Sequence, residues 1–167
     1  LTFSKIEMKQ MRISVRKGDI MHFLEELSHI FDIVAGEREI DFIVNLEDTE
    51  EEVWFSPSKL ERILYNLLSN AFKYTQPGGY VKLSAKLIKE EKGTFVQSSV
   101  KDNGRGIPKE AQEQIFESYY QVEKRDHREG FGLGLSLTRS LIHMHKGEIR
   151  VESEINKGSD FIVTLNV

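Results

Sequence analysis

Asn66, Asn70 and Lys73 stand at i, i+4 and i+7 along the segment Asn66-Leu-Leu-Ser-Asn-Ala-Phe-Lys-Tyr74. On a helix that spacing turns two amides and an ammonium toward one side. Amide oxygens can ligate a hard cation and an ammonium can meet phosphate oxygens, so the set suits a metal-bound triphosphate. Taken alone, these residues fit a solvated helix face equally well. A second group, Asp102-Asn-Gly-Arg-Gly-Ile107, follows a strand-like run. Gly104 and Gly106 permit backbone conformations closed to other residues and let a flat ligand approach. The Asp102 carboxylate can accept from an exocyclic amino group, as an adenine would require. The same letters also spell an ordinary tight turn. A third, Gly130-Phe-Gly-Leu-Gly-Leu-Ser136, places glycine at alternate positions immediately before a helical pattern. Its N–H groups can wrap phosphates and aim a helix N-terminus at their charge. It lacks a Lys-Ser/Thr ending and no strand leads directly into it, so neither the P-loop nor the dinucleotide fingerprint is met. Leu133 and Leu135 make it too apolar for a flexible linker.

These groups need elements to hold them. Ile20, Phe23, Leu24, Leu27, Ile30, Phe31 and Val34 recur at three- and four-residue steps and predict one helix, ended by Ala35-Gly36. Ile40, Phe42, Val44 and Leu46 alternate as in a half-covered strand, and 51–55 is expected to pair beside it. A second helix opens with Ser56 as its cap and Pro57 in its first turn. Leu60, Ile63, Leu64, Leu67, Leu68, Ala71 and Phe72 form its apolar face, with Arg62, Asn66, Asn70 and Lys73 in a polar stripe beside it. Segments 80–88 and 94–100 read as two long strands about a charged turn, followed by a short helix at 109–118, a helix at 135–146 and strands near 147–153 and 160–167. Strands and helices mix without strict alternation. The fold class expected is α+β, a mixed sheet covered on one face by helices.

Composition narrows the function. The chain has 167 residues, one domain's length, and no apolar run approaching the ~20 residues of a membrane helix. With 23 Lys and Arg against 27 Asp and Glu, the net charge of −4 gives no general reason to expect nucleic-acid binding. The absence of cysteine excludes a disulfide framework, a thiolate metal site and a cysteine nucleophile. Leu1 rather than Met opens the chain, no targeting pattern is present, and 1–10 is polar and weakly periodic. The sequence therefore reads as a domain cut from a longer protein, beginning in a frayed helix end.

Taken in order, NLLSNAFKYT, DNGRGIP, IFESYY, GFGLGLS and KGSDF resemble the N, G1, F, G2 and G3 boxes of histidine kinase catalytic domains, members of the Bergerat-fold ATPase and kinase superfamily. FSKIE, at 3–7, is similar to the link from the kinase dimerisation helices. The resemblance implies a two-layer α/β sandwich with a mostly antiparallel sheet. It makes 1–15 the remnant of that link and 16–167 the catalytic ATP-binding domain. ATP and Mg2+ are the implied cofactors. Asn70 becomes the magnesium ligand, and Asn66, Lys73 and Tyr74 lie near the phosphates, with Asn66 and Lys73 as the catalytic pair. Asp102 holds adenine, and Gly104, Gly106 and Ile107 shape its pocket. Phe116 and Tyr120 anchor a mobile lid over 119–134, while Gly130, Gly132, Leu133, Gly134 and Leu135 follow the triphosphate. Two features depart from the pattern: Tyr119-Tyr120 in the F box, and His145-Lys-Gly where His-Gly-Gly is common.

One position separates branches of the superfamily. ATP-hydrolysing relatives carry a glutamate one turn before the magnesium-binding Asn, where this chain has Asn66. An amide is a poor general base, so the site should hold ATP without hydrolysing it quickly and keep the phosphoryl group for another acceptor. The implied acceptor is a histidine in an H box resembling His-Glu-x-Arg-Thr-Pro, on the protein's own dimerisation and phosphotransfer domain. His22, His29, His127, His143 and His145 all lack that context. A response regulator receiver domain is the implied downstream partner. The isolated chain is expected to be monomeric and cytoplasmic, and its parent homodimeric, with membrane anchorage open. Two other readings remain: a catalytically silent nucleotide-binding regulatory module, and a serine kinase of the anti-sigma type, which normally lacks the FSKIE link.

Overall fold

A computed structural model describes residues 14–117 and 134–167. A short strand not anticipated from the sequence, β1 (Arg16–Asp19), leads into α1 (Ile20–Ser28). Asp19 caps this helix, accepting the His22 N–H at 3.0 Å. The single helix predicted here is two, with α2 (Ile30–Arg38) following a break at His29. The Ser28 hydroxyl donates to the Glu25 carbonyl at 2.6 Å, competing for an acceptor of the helical ladder at that point. Nor does Gly36 end the pair. The left-handed closing residue is Glu39, at φ 55°, and the Ile40 N–H reaches back to the Ala35 carbonyl at 3.0 Å.

The strands β2 (Asp41–Leu46) and β3 (Glu52–Phe55) form where strands were expected, but they are not partners. β3 pairs antiparallel with β1, while β2 pairs parallel with β4 (Tyr80–Glu90), from Asp41 opposite Tyr80 to Leu46 opposite Ala85. Side-chain packing explains the choice. Phe42 of β2 meets Phe31 and Phe72 edge-on, at centroid distances of 6.5 and 5.3 Å, which requires the strand to lie under the helices.

Between these strands runs α3 (Pro57–Tyr74), whose buried residues include every apolar one predicted for that face. Ser56 stands at its N-terminus but makes no side-chain cap bond. Its hydroxyl and the Lys59 ammonium are both buried without a hydrogen-bond partner, and burial lowers the Lys59 pKa. β4 turns back at Glu91-Lys92 into β5 (Gly93–Asp102). Two 3₁₀ turns, Lys109–Ala111 and Gln114–Phe116, replace the short helix expected there. The chain ends with α4 (Gly134–Met144), β6 (Glu148–Glu154) and β7 (Gly158–Asn166).

The main sheet has five strands in the order β2-β4-β5-β7-β6, antiparallel except for β2 with β4. Val81, Leu83, Val96, Val100, Phe161 and Val163 point from it into a core shared with Leu24, Leu64, Leu67, Leu68, Leu141 and Ile142. Alternate residues such as Lys82, Ser84 and Lys86 are not buried, so helices cover one face only. This is the two-layer α+β sandwich expected. No helix among the described residues is long and apolar enough to cross a membrane.

The departure at His145-Lys-Gly has a structural cost. Lys146 takes φ 51° where α4 ends, and its N–H bonds the His143 carbonyl at 3.0 Å. Lys146→Gly should stabilise the fold by about 1 kcal/mol by removing the Cβ from a left-handed position. The expected result is a higher urea midpoint at unchanged slope. An unchanged midpoint would show that Lys146 is not strained.

Candidate functional site

The apolar stripe of α3 faces the sheet, which leaves Asn66, Asn70, Lys73 and Tyr74 half-buried on the flank. Asn66 reaches across to α4: its amide nitrogen donates to the Thr138 hydroxyl at 3.0 Å and approaches the Gly134 carbonyl at 3.5 Å. The Thr138 hydroxyl donates in turn to the Gly134 carbonyl at 2.6 Å. The end of the glycine run is thereby fastened to the asparagine helix.

At its C-terminus α3 meets the loop after β5. The Tyr74 ring lies under the Arg105 guanidinium, 4.2 Å from the centroid, with the Lys73 ammonium at 5.3 Å from the same centroid. The Tyr74 carbonyl presses on Gly104, where a Cβ would stand 2.3 Å from that oxygen. Glycine is required there by close approach.

Asp102 closes β5 and is 6% exposed. Its carboxylate accepts the Gly104 N–H at 2.8 Å. Burial pushes its pKa above the usual carboxylate range, the amides of Gly104 and Ser159 draw it back down, and the Asp160 charge raises it again. Desolvation dominates, so an ionised Asp102 gains from any further donor brought to it.

The opposite wall is the β6–β7 turn. Gly106, at φ 72°, would place a Cβ 2.0 Å from the Glu154 carbonyl. The Ile107 N–H donates to the Ser153 hydroxyl at 2.8 Å, which itself donates to the Gly158 carbonyl at 2.9 Å. Gln112 donates to the carbonyls of Ile107 and Ser153 at 3.1 and 3.0 Å. Sequence reasoning missed Ser153, Gln112 and Thr138. Each works through a partner far along the chain, and none sits in a spacing pattern that could mark it.

The predicted residues therefore fall on three walls. Asn66, Asn70, Lys73 and Tyr74 lie on α3, Asp102 at the end of β5 with Gly104, Gly106 and Ile107 on the loop after it, and Gly134 and Leu135 at the start of α4. Phe116 is buried nearby, edge-on to Phe161 at 6.4 Å with Arg139 over its ring at 5.7 Å. Tyr120, Gly130, Gly132 and Leu133 lie outside the described residues, with nearly all of the lid segment. No group of three or more His, Asp or Glu among the described residues converges to hold a metal.

Residues 55–167 match the family described as histidine kinase-, DNA gyrase B-, and HSP90-like ATPase. Sensor histidine kinase WalK of Bacillus subtilis is 34% identical over 167 residues, 99% of this chain and 27% of that protein. Adaptive-response sensory kinase SasA of Crocosphaera subtropica is 34% identical over 167 residues, all of this chain and 43% of that protein. The chain thus spans less than half the length of these relatives. Among solved structures, the catalytic domain of histidine kinase ThkA in a nucleotide-free form superposes with a TM-score of 0.77 at 26% identity, covering 92% of this chain and 95% of that one. Full-length ShkA in complex with AMPPNP superposes with a TM-score of 0.81 at 28% identity, covering 93% of this chain and 31% of that one. With more than half of its length matching, the chain belongs to the family of histidine kinase-, DNA gyrase B- and HSP90-like ATPases.

Proposed function

We propose that this chain is the ATP-binding catalytic module of a two-component sensor histidine kinase. It holds Mg-ATP and donates the γ-phosphoryl group to a histidine on a dimerisation domain, from which a response regulator receiver domain is charged. The observation that carries this reading is the contact of Gly104 with Tyr74, which brings a desolvated carboxylate loop against the helix bearing Asn66, Asn70 and Lys73. AMPPNP bound to the similar ShkA supports it.

Asp102 accepts the adenine amino group, and Gly104 and Gly106 let its loop pack directly on Tyr74 and on the β6–β7 turn. Asn70 would offer magnesium a hard amide oxygen, and no group of three or more His, Asp or Glu among the described residues converges to hold the ion instead. Bound magnesium supplies neutralisation of phosphate charge. Lys73 adds a cation on the same flank, and the α4 N-terminus, joined to Asn66, adds the positive end of its helix dipole. The amide at Asn66 is already engaged as a donor to Thr138, which leaves no general base there to activate water. ATP is thus held for transfer rather than spent on hydrolysis.

The chain should bind Mg-ATP by calorimetry yet carry no phosphohistidine of its own, and should label a supplied dimerisation domain with acid-labile phosphate. Stable phosphohistidine on this chain would overturn the division of labour. Binding without labelling of any dimerisation domain would instead favour a silent nucleotide-binding module.

A further inference from the structure

We infer that Thr138 is a positioning residue for the phosphate end of the nucleotide, acting through Asn66 and Gly134. The inference rests on the nucleotide-site reading above and adds to it a residue outside the sequence boxes. Thr138 is 0% exposed, one turn into α4, and its hydroxyl is fully used: it accepts from the Asn66 amide at 3.0 Å and donates to the Gly134 carbonyl at 2.6 Å. A hydroxyl offers one donor and can accept as well, so a single oxygen ties both residues at once. Valine has the same shape and can do neither.

Two consequences follow from that joint. First, it fixes the Asn66 rotamer by giving its amide nitrogen a partner, which sets the side chain one turn before Asn70. Second, it occupies the Gly134 carbonyl, which lies where the glycine run enters α4. The start of α4 carries the positive end of its helix dipole. Its position relative to Asn70 and Lys73 is set by how α4 docks on α3, and the Asn66–Thr138–Gly134 chain is a polar link across that seam. Asp102 and its loop lie on the other wall, tied to Tyr74 and to the β6–β7 turn by separate contacts. Loss of the Thr138 hydroxyl should therefore be felt by phosphates and not by the purine.

The test compares Thr138→Val and Thr138→Ser in this chain, measuring Mg-ATP affinity by calorimetry, adenosine affinity by NMR titration, and the unfolding midpoint. Thr138→Val should raise the Kd for ATP by about tenfold, the loss expected for one or two hydrogen bonds. It should leave adenosine within about twofold, and Thr138→Ser should restore ATP binding. In an Asn66→Ala background Thr138→Val should have little further effect, because the two act as one unit. Wild-type ATP affinity in Thr138→Val, an equal loss of adenosine, or full additivity with Asn66→Ala would each overturn the assignment. Should Thr138→Val not fold, Asn66→Ala alone must show the ATP-specific loss, and unchanged affinity there overturns it equally. Failure of the wild-type chain to bind ATP would instead remove the site reading beneath it.

Discussion

Asp102→Asn is expected to weaken Mg-ATP by about 10- to 100-fold, the worth of one charge-assisted hydrogen bond. The folded state should be little harmed. The carboxylate is buried, and its pKa stands above the usual range because desolvation disfavours the charged form. Its folded-state pKa is thus raised above the unfolded value. The stabilisation associated with it is present at low pH and is lost as pH rises from the ordinary carboxylate range through the raised value. Above that window the ionised group is a net cost to the empty protein, offset when a ligand amino group arrives. Asparagine removes that cost and keeps an oxygen for the Gly104 N–H, but puts a donor where the ligand also donates. Two pH profiles check the argument. Wild-type ATP affinity should rise with pH through the same window while apo stability falls, and both profiles should flatten in the mutant. Equal ATP affinity in Asp102→Asn would remove this residue from the adenine site.

Gly158→Ala should do the opposite kind of damage, lowering stability by about 3 kcal/mol or more and abolishing nucleotide binding with it. Gly158 has φ 114°, and a Cβ there would stand 2.0 Å from the Asp102 carbonyl oxygen and 2.7 Å from the Asn103 Cα. The overlap is with backbone, so no rotamer change relieves it. Either β7 or the end of β5 must shift, and Asp102 shifts with them. Gly93→Ala provides the control. Gly93 also has a positive φ, 135°, but nothing lies within 4 Å of its Cβ, so that substitution reports conformational strain alone. Urea unfolding of the two variants separates strain from collision. If Gly158→Ala costs no more than Gly93→Ala, the turn and the Asp102 loop are not rigidly apposed.

The sequence was most informative where information is local. The apolar stripe from Leu60 to Phe72 and the half-buried flank of Asn66, Asn70 and Lys73 follow from helical spacing alone, and the structure places both as expected. Alternation likewise found β2, but it says which face of a strand is covered and not which strand lies beside it. The partner of β2 was decided by Phe42 against Phe31 and Phe72, residues on two different helices. The break at His29 depended on one hydroxyl, that of Ser28, and Ser56 looked like a cap because serine usually is one. In the site, glycines betrayed close approach, whereas Ser153, Gln112 and Thr138 are ordinary polar residues. Their roles exist only once residues up to 72 positions apart have met.

The parallel pairing of β2 with β4 also sets an order of assembly. β4 and β5 turn about Glu91-Lys92, and β6 and β7 are in register from Glu154 opposite Gly158, so both ribbons close short loops and can form early. β2 meets β4 only after the chain has passed through β3 and all of α3. During synthesis β2 emerges first. At ordinary ribosomal rates, Ala85 follows Leu46 by about 2–8 s. For that interval Phe42, Ile43 and Val44 form an apolar strand with no neighbour in its sheet, the kind of segment that pairs with the wrong partner when two nascent chains are close. Until β4 arrives the β2 edge stands open, and that edge is where crowding in the cell would tell first.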